Sequence, residues 1–523
     1  MEAIGQPIDR RDGRLKVTGS ARYTAELDLP DLTYGVIVGS TAASGTIRRI
    51  DAAPAERAPG VVKVVTHENA PRLKPFPAML NKVRVLGDGG LGEDYQPLQT
   101  PQVHFAGQAV AVVVAETFEQ ARYAATLIRV EYDTAPSKLT MTADSVTTLP
   151  DLFLGNPEEE LQKTRGGGAA AVRAAFDAAP VRVSETYKTP IEHHNPIEMQ
   201  ATIAIWNKAA GGTADTLTLY DTCRNLKGNQ TIVAHVFGMP VDSVRMVSQF
   251  IGGSFGAKGW QFNNPILGAL AAKTADRTVK IVFTRQQMLE LAGQRAATEQ
   301  VYALGATQDG AIQATRHDAR THTSAVSGYT EPCGRNTKTI YTSPHLEISQ
   351  ELIKLNLPTP CPMRAPGEAP GTWAQETAMD EIAEKLGMDP LAFRLRNHAD
   401  TDPDSGKPWS SKHLKECYMR AAEMIGWAKR NPKPRTMREG RYLVGYGMAT
   451  TIYPAGHNPA NVRVVLSADG KAVVQSATHD QGNGAYTILA QIAADALGLP
   501  LADVRFELGD TRLPFAPATG GST

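Results

Sequence analysis

The residues that could do chemistry lie in glycine-rich loops, and the first of these is the turn 252–258. A strand predicted at 243–251 leads into it, and a helix predicted from Asn264 follows it. Glycine lets backbone N–H groups approach a ligand without Cβ atoms in the way, and a helix N-terminus favours an oxyanion or a phosphate. A plain structural turn is the alternative, and it is the commoner outcome for such a sequence. The candidate ligand-binding residues of this turn are Gly253, Ser254, Phe255 and Gly256.

Three further loops have a similar composition. The Pro-rich loop 358–371 and the loop 479–484 each stand between a predicted strand and a predicted helix, and a glycine loop at 518–523 ends the sequence. Several loops at strand ends could converge on one large ligand. The candidates in these loops are Arg364, Ala365, Gln481, Gly482, Asn483, Gly484, Gly520, Gly521 and Ser522.

The most distinctive candidate side chain is that of Arg364, which lies where prolines restrict the backbone. A guanidinium there could present a planar set of donors to a carbonyl or to a cofactor oxygen. A salt bridge from Arg364 to Glu368 that only fixes the loop is an equally open interpretation. We expect Glu368 to hold the loop together and not to transfer protons.

The segment 192–199 contains two histidines and two carboxylates, which invites a metal-site hypothesis. His193 and His194 are adjacent, so they point to opposite faces of a strand and form poor ligand geometry. We therefore predict no metal ion held by protein side chains there. A ligand contact from Asn195 or Glu198 is the less favoured alternative to structural hydrogen bonds.

The elements that must position these loops follow from hydrophobic periodicity. Thr117 caps a predicted helix at 118–126, with Gln120 as its capping-box partner. A helix predicted at 372–386 carries apolar residues on one face, so we expect it to pack on a sheet. Further helices are predicted at 265–275 and 487–497.

The composition indicates an ordinary chain of several domains, with 523 residues, 42% hydrophobic and 21% charged. The charges balance, 54 positive against 54 negative, so neither nucleic acid nor a membrane is an expected partner. The four cysteines are far apart in the sequence, so we expect no iron–sulfur centre within this chain. No apolar run of about 18 residues and no export signal is visible.

The turn 252–258, the segment 363–368 and the loop 481–484 occur in the order and context of a known family. They resemble the molybdenum-binding large subunit of the xanthine dehydrogenase and aldehyde oxidase family, closest to its bacterial aldehyde oxidoreductases, from about Gly5 onward. The resemblance implies an α+β fold, with an N-terminal hammerhead domain followed by mixed α/β molybdopterin-binding domains, the last incomplete. Its expected divisions are a hammerhead domain at 1–135, a linker at 136–168, a first molybdopterin-binding domain at 169–400, and the start of a second at 411–523.

The same resemblance implies a molybdenum hydroxylase subunit that oxidises aldehydes or N-heteroaromatics with water as the oxygen source. Molybdenum would be held by molybdopterin, in its cytosine dinucleotide form, and electrons would pass to Fe–S and FAD subunits. Arg364 would contact substrate or an oxo group, and Tyr453 would shape the substrate pocket. Asn483 stands where the family often has a glutamine or a threonine that reaches the cofactor.

The glutamate that serves as the family's base has no counterpart between Met1 and Thr523. We therefore expect an N-terminal fragment with little or no turnover by itself. Two other interpretations stay open: a non-catalytic remnant that binds the partner subunits, and a generic phosphate or nucleotide binder. The expected compartment is the cytoplasm, or the periplasm by co-export with a partner subunit.

Overall fold

A computed structural model of the chain describes residues 3–75, 95–148, 162–209, 214–259, 263–453 and 457–520. In chain order the described helices are α1 (Gly13–Val17), α2 (Ala53–Glu56), α3 (Phe118–Leu127), α4 (Gly168–Ala178), α5 (Leu226–Phe237), α6 (Asn264–Ala275), α7 (Arg285–Leu291), α8 (Glu368–Leu386), α9 (Pro390–Arg396), α10 (Leu414–Ile425) and α11 (Ala485–Leu497). Within these residues, every helix is too short or too polar to cross a bilayer.

The described strands pair into two large sheets and three small ones. In chain order they are β1 (Leu32–Gly39), β2 (Gly45–Asp51), β3 (Val61–Thr66), β4 (Gln102–Val103), β5 (Ala109–Ala115), β6 (Arg129–Thr134), β7 (Thr147–Thr148), β8 (Lys163–Arg165), β9 (Val181–Thr189), β10 (Ala201–Asn207), β11 (Thr216–Asp221), β12 (Val244–Val247), β13 (Thr278–Val282), β14 (Thr298–Ala306), β15 (Ile312–Ser324), β16 (His345–Leu355), β17 (Arg438–Glu439), β18 (Tyr442–Leu443), β19 (Arg463–Leu466), β20 (Ala472–Gln475) and β21 (Val504–Glu507).

Seven described strands form the first sheet, in the order β12-β11-β10-β13-β1-β5-β3. Every residue of β5, whose sequence is AVAVVVA, is buried, as expected for a strand covered on both faces. β1 pairs in parallel with β13, and Leu32 lies opposite Thr278. Strands β1, β3 and β5 of the N-terminal region therefore share one sheet and one core with the later strands β10 to β13.

The second sheet runs β7-β16-β15-β14-β9, with β8 also paired to β16. Helix α8 packs on it through Ala374, Ala378 and Ile382, none of which has exposed surface. The predicted apolar face of this helix is thus confirmed, but α8 begins at Glu368, four residues before the predicted start. Pro370 does not prevent this because the N–H groups of a helix's first turn have no partner within the helix.

The third region, which is the described stretch 457–520, places β19, β20 and β21 in one sheet that packs against α11. The N-terminal segment also joins this region, because Ala3 N–H donates to Asp495 Oδ1 at 2.6 Å and Arg11 Nη1 donates to Leu501 O at 3.0 Å. The predicted capping box is confirmed elsewhere, since Thr117 and Gln120 exchange both of its hydrogen bonds at the start of α3. The ends of β12 and β20 thus lead into glycine loops that α6 and α11 follow.

Candidate functional site

A buried ion pair between Lys258 and Glu198 stabilises the turn 252–258. Lys258 Nζ lies 2.6 Å from Glu198 Oε2, and the Gly252 N–H donates to the same oxygen at 2.7 Å. The Lys258 side chain has no exposed surface, so burial lowers its pKa, and the attraction of Glu198 opposes that shift. Ser254 is buried behind the turn, where its hydroxyl accepts from Lys258 N–H at 3.4 Å. The conformation of the turn is therefore stabilised by a buried ion pair and by the Ser254 hydroxyl.

The first turn packs directly on the second loop. Arg364 N–H donates to Phe255 O at 2.8 Å. Gly256 has a φ of +125°, and a Cβ built on it would lie 1.7 Å from Pro362 O, so only glycine fits. Gly253 has a φ of +92° beside the Phe255 ring. The turn 252–258 and the segment 363–368, on which the family resemblance rests, are thus neighbours in space.

Arg295 holds the second loop through its carbonyl groups. Its Nη2 donates to Arg364 O at 2.8 Å and its Nη1 to Ala365 O at 3.3 Å. The guanidinium is nearly fully buried and pairs with Glu331 at 2.9 Å, and that carboxylate accepts from Gly367 N–H at 2.6 Å. The sequence prediction missed Arg295, because no local pattern distinguishes it from other arginines.

The side chain of Arg364 faces outward. It is exposed, and among the described residues its guanidinium has no hydrogen-bond or ion-pair partner. Glu368 pairs with Arg335 instead, at 3.3 Å. The predicted salt bridge between Arg364 and Glu368 is therefore not formed. The guanidinium donors of Arg364 stay available to a ligand.

The third and fourth loops also meet. Gln481 Nε2 donates to Thr519 O at 3.2 Å, and Thr519 Oγ1 lies 3.2 Å from His479 Nδ1. Asn483 Oδ1 accepts from Gln481 N–H at 3.3 Å, so this side chain closes its own loop. Gly482 has a φ of +105° and nothing within 4 Å of its Cβ position, which leaves open space beside the loop.

Arg224 connects the fourth loop to the first. Its N–H donates to Lys258 O at 2.9 Å and its Nη1 donates to Thr519 O at 2.6 Å. Gly520 lies against it, since a Cβ on Gly520 would be 1.9 Å from Nη1. The structure therefore joins all four predicted loops in one continuous set of contacts.

The remaining candidates lie at the edges of this set. Gly484, with a φ of +86°, immediately precedes α11. Tyr453 is 37% exposed and stands beside a gap in the described chain. Gly521 and Ser522 lie outside the described residues.

The segment 192–199 serves the same loops through structural contacts. His194 Nε2 lies 2.8 Å from Pro362 O, and burial lowers the pKa of His194 to about 4, so its ring is neutral. Asn195 Oδ1 accepts from Arg285 Nη1 at 2.8 Å. Among the described residues, no group of three His, Cys, Asp or Glu side chains could hold a metal ion.

Buried polar atoms beside the third loop lack partners. His479 Nε2 and Asp480 Oδ2 are buried, and neither has a hydrogen-bond partner among the described residues. Burial, and then the charge of Arg224, lower the pKa of His479 to about 3, so its ring is neutral. Because both atoms are buried, the part of this loop that is open to a ligand is the space at the Cβ position of Gly482.

Comparisons with known proteins define the class. Residues 18–136 match the a/b hammerhead domain of aldehyde oxidase and xanthine dehydrogenase, and residues 155–398 and 420–523 match two molybdopterin cofactor-binding domain models. The fold superposes on aldehyde oxidoreductase from Desulfovibrio gigas with a TM-score of 0.81 and 23% identity, over 99% of this chain and 58% of that one. It also superposes on quinoline 2-oxidoreductase from Pseudomonas putida 86 with a TM-score of 0.82 and 23% identity, over 99% of this chain and 68% of that one. The class is a molybdopterin-binding oxidoreductase subunit, and the predicted fold class is confirmed.

Relatives give the family. The aldehyde oxidoreductase molybdenum-binding subunit PaoC of Escherichia coli (strain K12) is 36% identical over 524 residues, which are 100% of this chain and 68% of that subunit. The putative xanthine dehydrogenase molybdenum-binding subunit XdhA of the same strain is 28% identical over 526 residues, 98% and 69% respectively. The chain belongs to the xanthine dehydrogenase and aldehyde oxidoreductase family of molybdenum-binding subunits, and it spans about two thirds of the length of these relatives.

Proposed function

We propose that the space bordered by the four loops receives a molybdenum–molybdopterin cofactor, and that the site oxidises aldehydes or N-heteroaromatics. The observation that carries this proposal is the continuous set of contacts among the loops: the second loop bonds to the turn 252–258 at Phe255, and Lys258 of that turn bonds to Arg224. Arg224 in turn bonds to Thr519, which bonds to Gln481. When bound, the cofactor supplies a two-electron redox centre for transfer of oxygen from water to the substrate.

The backbone at Phe255 and Gly256 supplies N–H donors, held in place by the contacts with Arg364 N and Pro362. Preorganised donors of this kind stabilise negative charge that develops on an oxygen. The exposed guanidinium of Arg364 orients the substrate carbonyl, because its donors are unpaired among the described residues. Tyr453 lines the substrate entry.

The third and fourth loops hold the pterin and its nucleotide. Gly482 and Gly484, both with positive φ, let the backbone approach phosphate oxygens, and Asn483 keeps that loop closed. We propose the cytosine dinucleotide form of molybdopterin, because the chain resembles bacterial members of the family. We assign the same role to Gly520, Gly521 and Ser522, as the family resemblance implies.

Partner subunits that carry Fe–S and FAD centres accept the electrons in this proposal. Relatives are named as subunits, among them the gamma subunit of the 6-hydroxypseudooxynicotine dehydrogenase complex of Paenarthrobacter nicotinovorans. Aldehydes are the favoured substrates because the 36% identical relative is named an aldehyde oxidoreductase.

The test is to produce the chain in a host that makes molybdopterin, with its partner subunits, and to measure molybdenum, released nucleotide and dye-linked aldehyde oxidation. Molybdenum and nucleotide content are the primary readouts, and Arg364→Ala should lower any residual kcat/KM by about ten- to a hundred-fold, the effect of losing a charged hydrogen bond, with molybdenum content unchanged. The exposed Arg122→Ala is the matched control and should have no effect.

Each alternative gives a different result. A preparation without molybdenum would refute the proposal, and nucleotide bound without molybdenum would indicate a generic nucleotide binder. Partner binding with neither molybdenum nor turnover would indicate a non-catalytic remnant.

A further inference from the structure

Arg224 lies between two parts of the chain that meet only through tertiary contacts. It follows β11 and precedes α5, and only 6% of its surface is exposed. Its main chain bonds in both directions, donating to Lys258 O at 2.9 Å and accepting from Thr519 N–H at 3.1 Å. Its side chain adds a bond to Thr519 O at 2.6 Å, across 295 residues of sequence.

Two glycines enclose the Arg224 guanidinium. A Cβ on Gly259 would lie 2.2 Å from Nη2, and a Cβ on Gly520 would lie 1.9 Å from Nη1. Neither position accepts a side chain while the guanidinium stays in place. One glycine directly follows the first turn and the other belongs to the fourth loop, so both segments are shaped around the same planar group.

We propose that Arg224 is a positioning residue, which ties the first turn to the fourth loop so that docking of the third region also forms the cofactor space. This inference rests on the proposed function. Arg224 acts through the two loops and does not itself contact substrate. A planar guanidinium can occupy the slot between two glycines and donate in several directions, whereas a lysine ammonium offers a point charge on a flexible stem.

Arg245 provides a matched control. It lies on β12 and pairs with Asp510 at 2.5 Å, so it also links the first sheet to the third region. Its described partner lies outside the four glycine loops. Arg245→Met therefore removes one peripheral contact between the first sheet and the third region and leaves the group that the glycines enclose in place.

The experiment compares the full chain with Arg224→Lys, Arg224→Met and Arg245→Met variants. Hydrogen exchange of the cofactor-free proteins is the first readout. Both Arg224 variants should exchange at least about ten-fold faster in peptides covering 252–258 and 517–520, because a charged hydrogen bond is lost, while Arg245→Met should change only peptides near 510. Circular dichroism shows whether each variant is folded. If Arg224→Met is unfolded, the comparison rests on Arg224→Lys.

Molybdenum and nucleotide retained after gel filtration are the second readout. The Arg224 variants should retain at most about a tenth of the wild-type content, while Arg245→Met retains most of it. Unchanged exchange in Arg224→Lys, or equal effects of the Arg224 and Arg245 variants, would overturn the inference. Wild-type protein without molybdenum would refute the proposed function alone, because the exchange result does not depend on cofactor.

Discussion

Replacing Glu198 by leucine should destabilise the turn 252–258, because Lys258 would keep an unpaired charge inside the protein. The pair is nearly dry, with exposed side-chain fractions of 0% for Lys258 and 9% for Glu198, and its N–O distance is 2.6 Å. Removing one partner of such a pair costs about 3 to 5 kcal/mol. The Gly252 N–H also loses its acceptor at 2.7 Å, which adds about 1 kcal/mol. We expect a loss of about 4 to 6 kcal/mol in total.

A chain with several domains does not unfold in one step, so the free energy must be measured locally. Native-state hydrogen exchange of the peptide covering 252–258 reports it, and each loss of 1.4 kcal/mol accelerates exchange about ten-fold. The double variant Glu198→Leu/Lys258→Met replaces the pair by apolar groups and should recover most of the loss. A loss below about 1 kcal/mol in the single variant, or no recovery in the double one, would refute this reasoning.

Three further predictions concern Gly256, His317 and Arg295. Gly256→Ala should lower the local stability of the turn 252–258 by about 2 to 6 kcal/mol in native-state hydrogen exchange, because its Cβ would meet Pro362 O at 1.7 Å and its φ is +125°. Burial lowers the pKa of His317 to about 3, so the unfolded state binds the extra proton between about pH 6.5 and 3 and stability falls as the pH falls through that window. In native-state hydrogen exchange of β15, corrected for the intrinsic pH dependence of exchange, His317→Gln should make that fall shallower by about 1.4 kcal/mol per pH unit. Arg295→Met should cost about 3 to 5 kcal/mol and expose the loop around Arg364 to hydrogen exchange.

Each of these predictions has its own control. Gly482→Ala adds a Cβ in open space, so backbone strain of about 1 to 3 kcal/mol is its only cost. A loss as large as that of the Gly256 variant would show that the clash is not the cause. If the stability of the His317 variant fell with decreasing pH as steeply as that of the wild type, the buried ring of His317 could not be neutral in the folded protein. Arg295→Lys keeps the charge without the fork, and full retention of loop protection would mean that charge alone suffices.

The local elements were predictable from the sequence. The capping box of Thr117 and Gln120 and the apolar face of α8 depend on neighbours within four residues, and both have the predicted form. The glycine loops were recognisable for the same reason, because a turn's conformation depends on its own few residues. The start of α8 was misplaced because Pro370 is compatible with a first helical turn.

The assembly of the site was decided by the tertiary structure alone. Glu198 reaches Lys258 across 60 residues, and Arg224 reaches Thr519 across 295. These pairs depend on how distant strands align, including the parallel pairing of β1 with β13, which no local pattern specifies. Periodicity and turn composition are local properties of a chain, whereas the partner of a buried charge is chosen by the packing of the whole molecule.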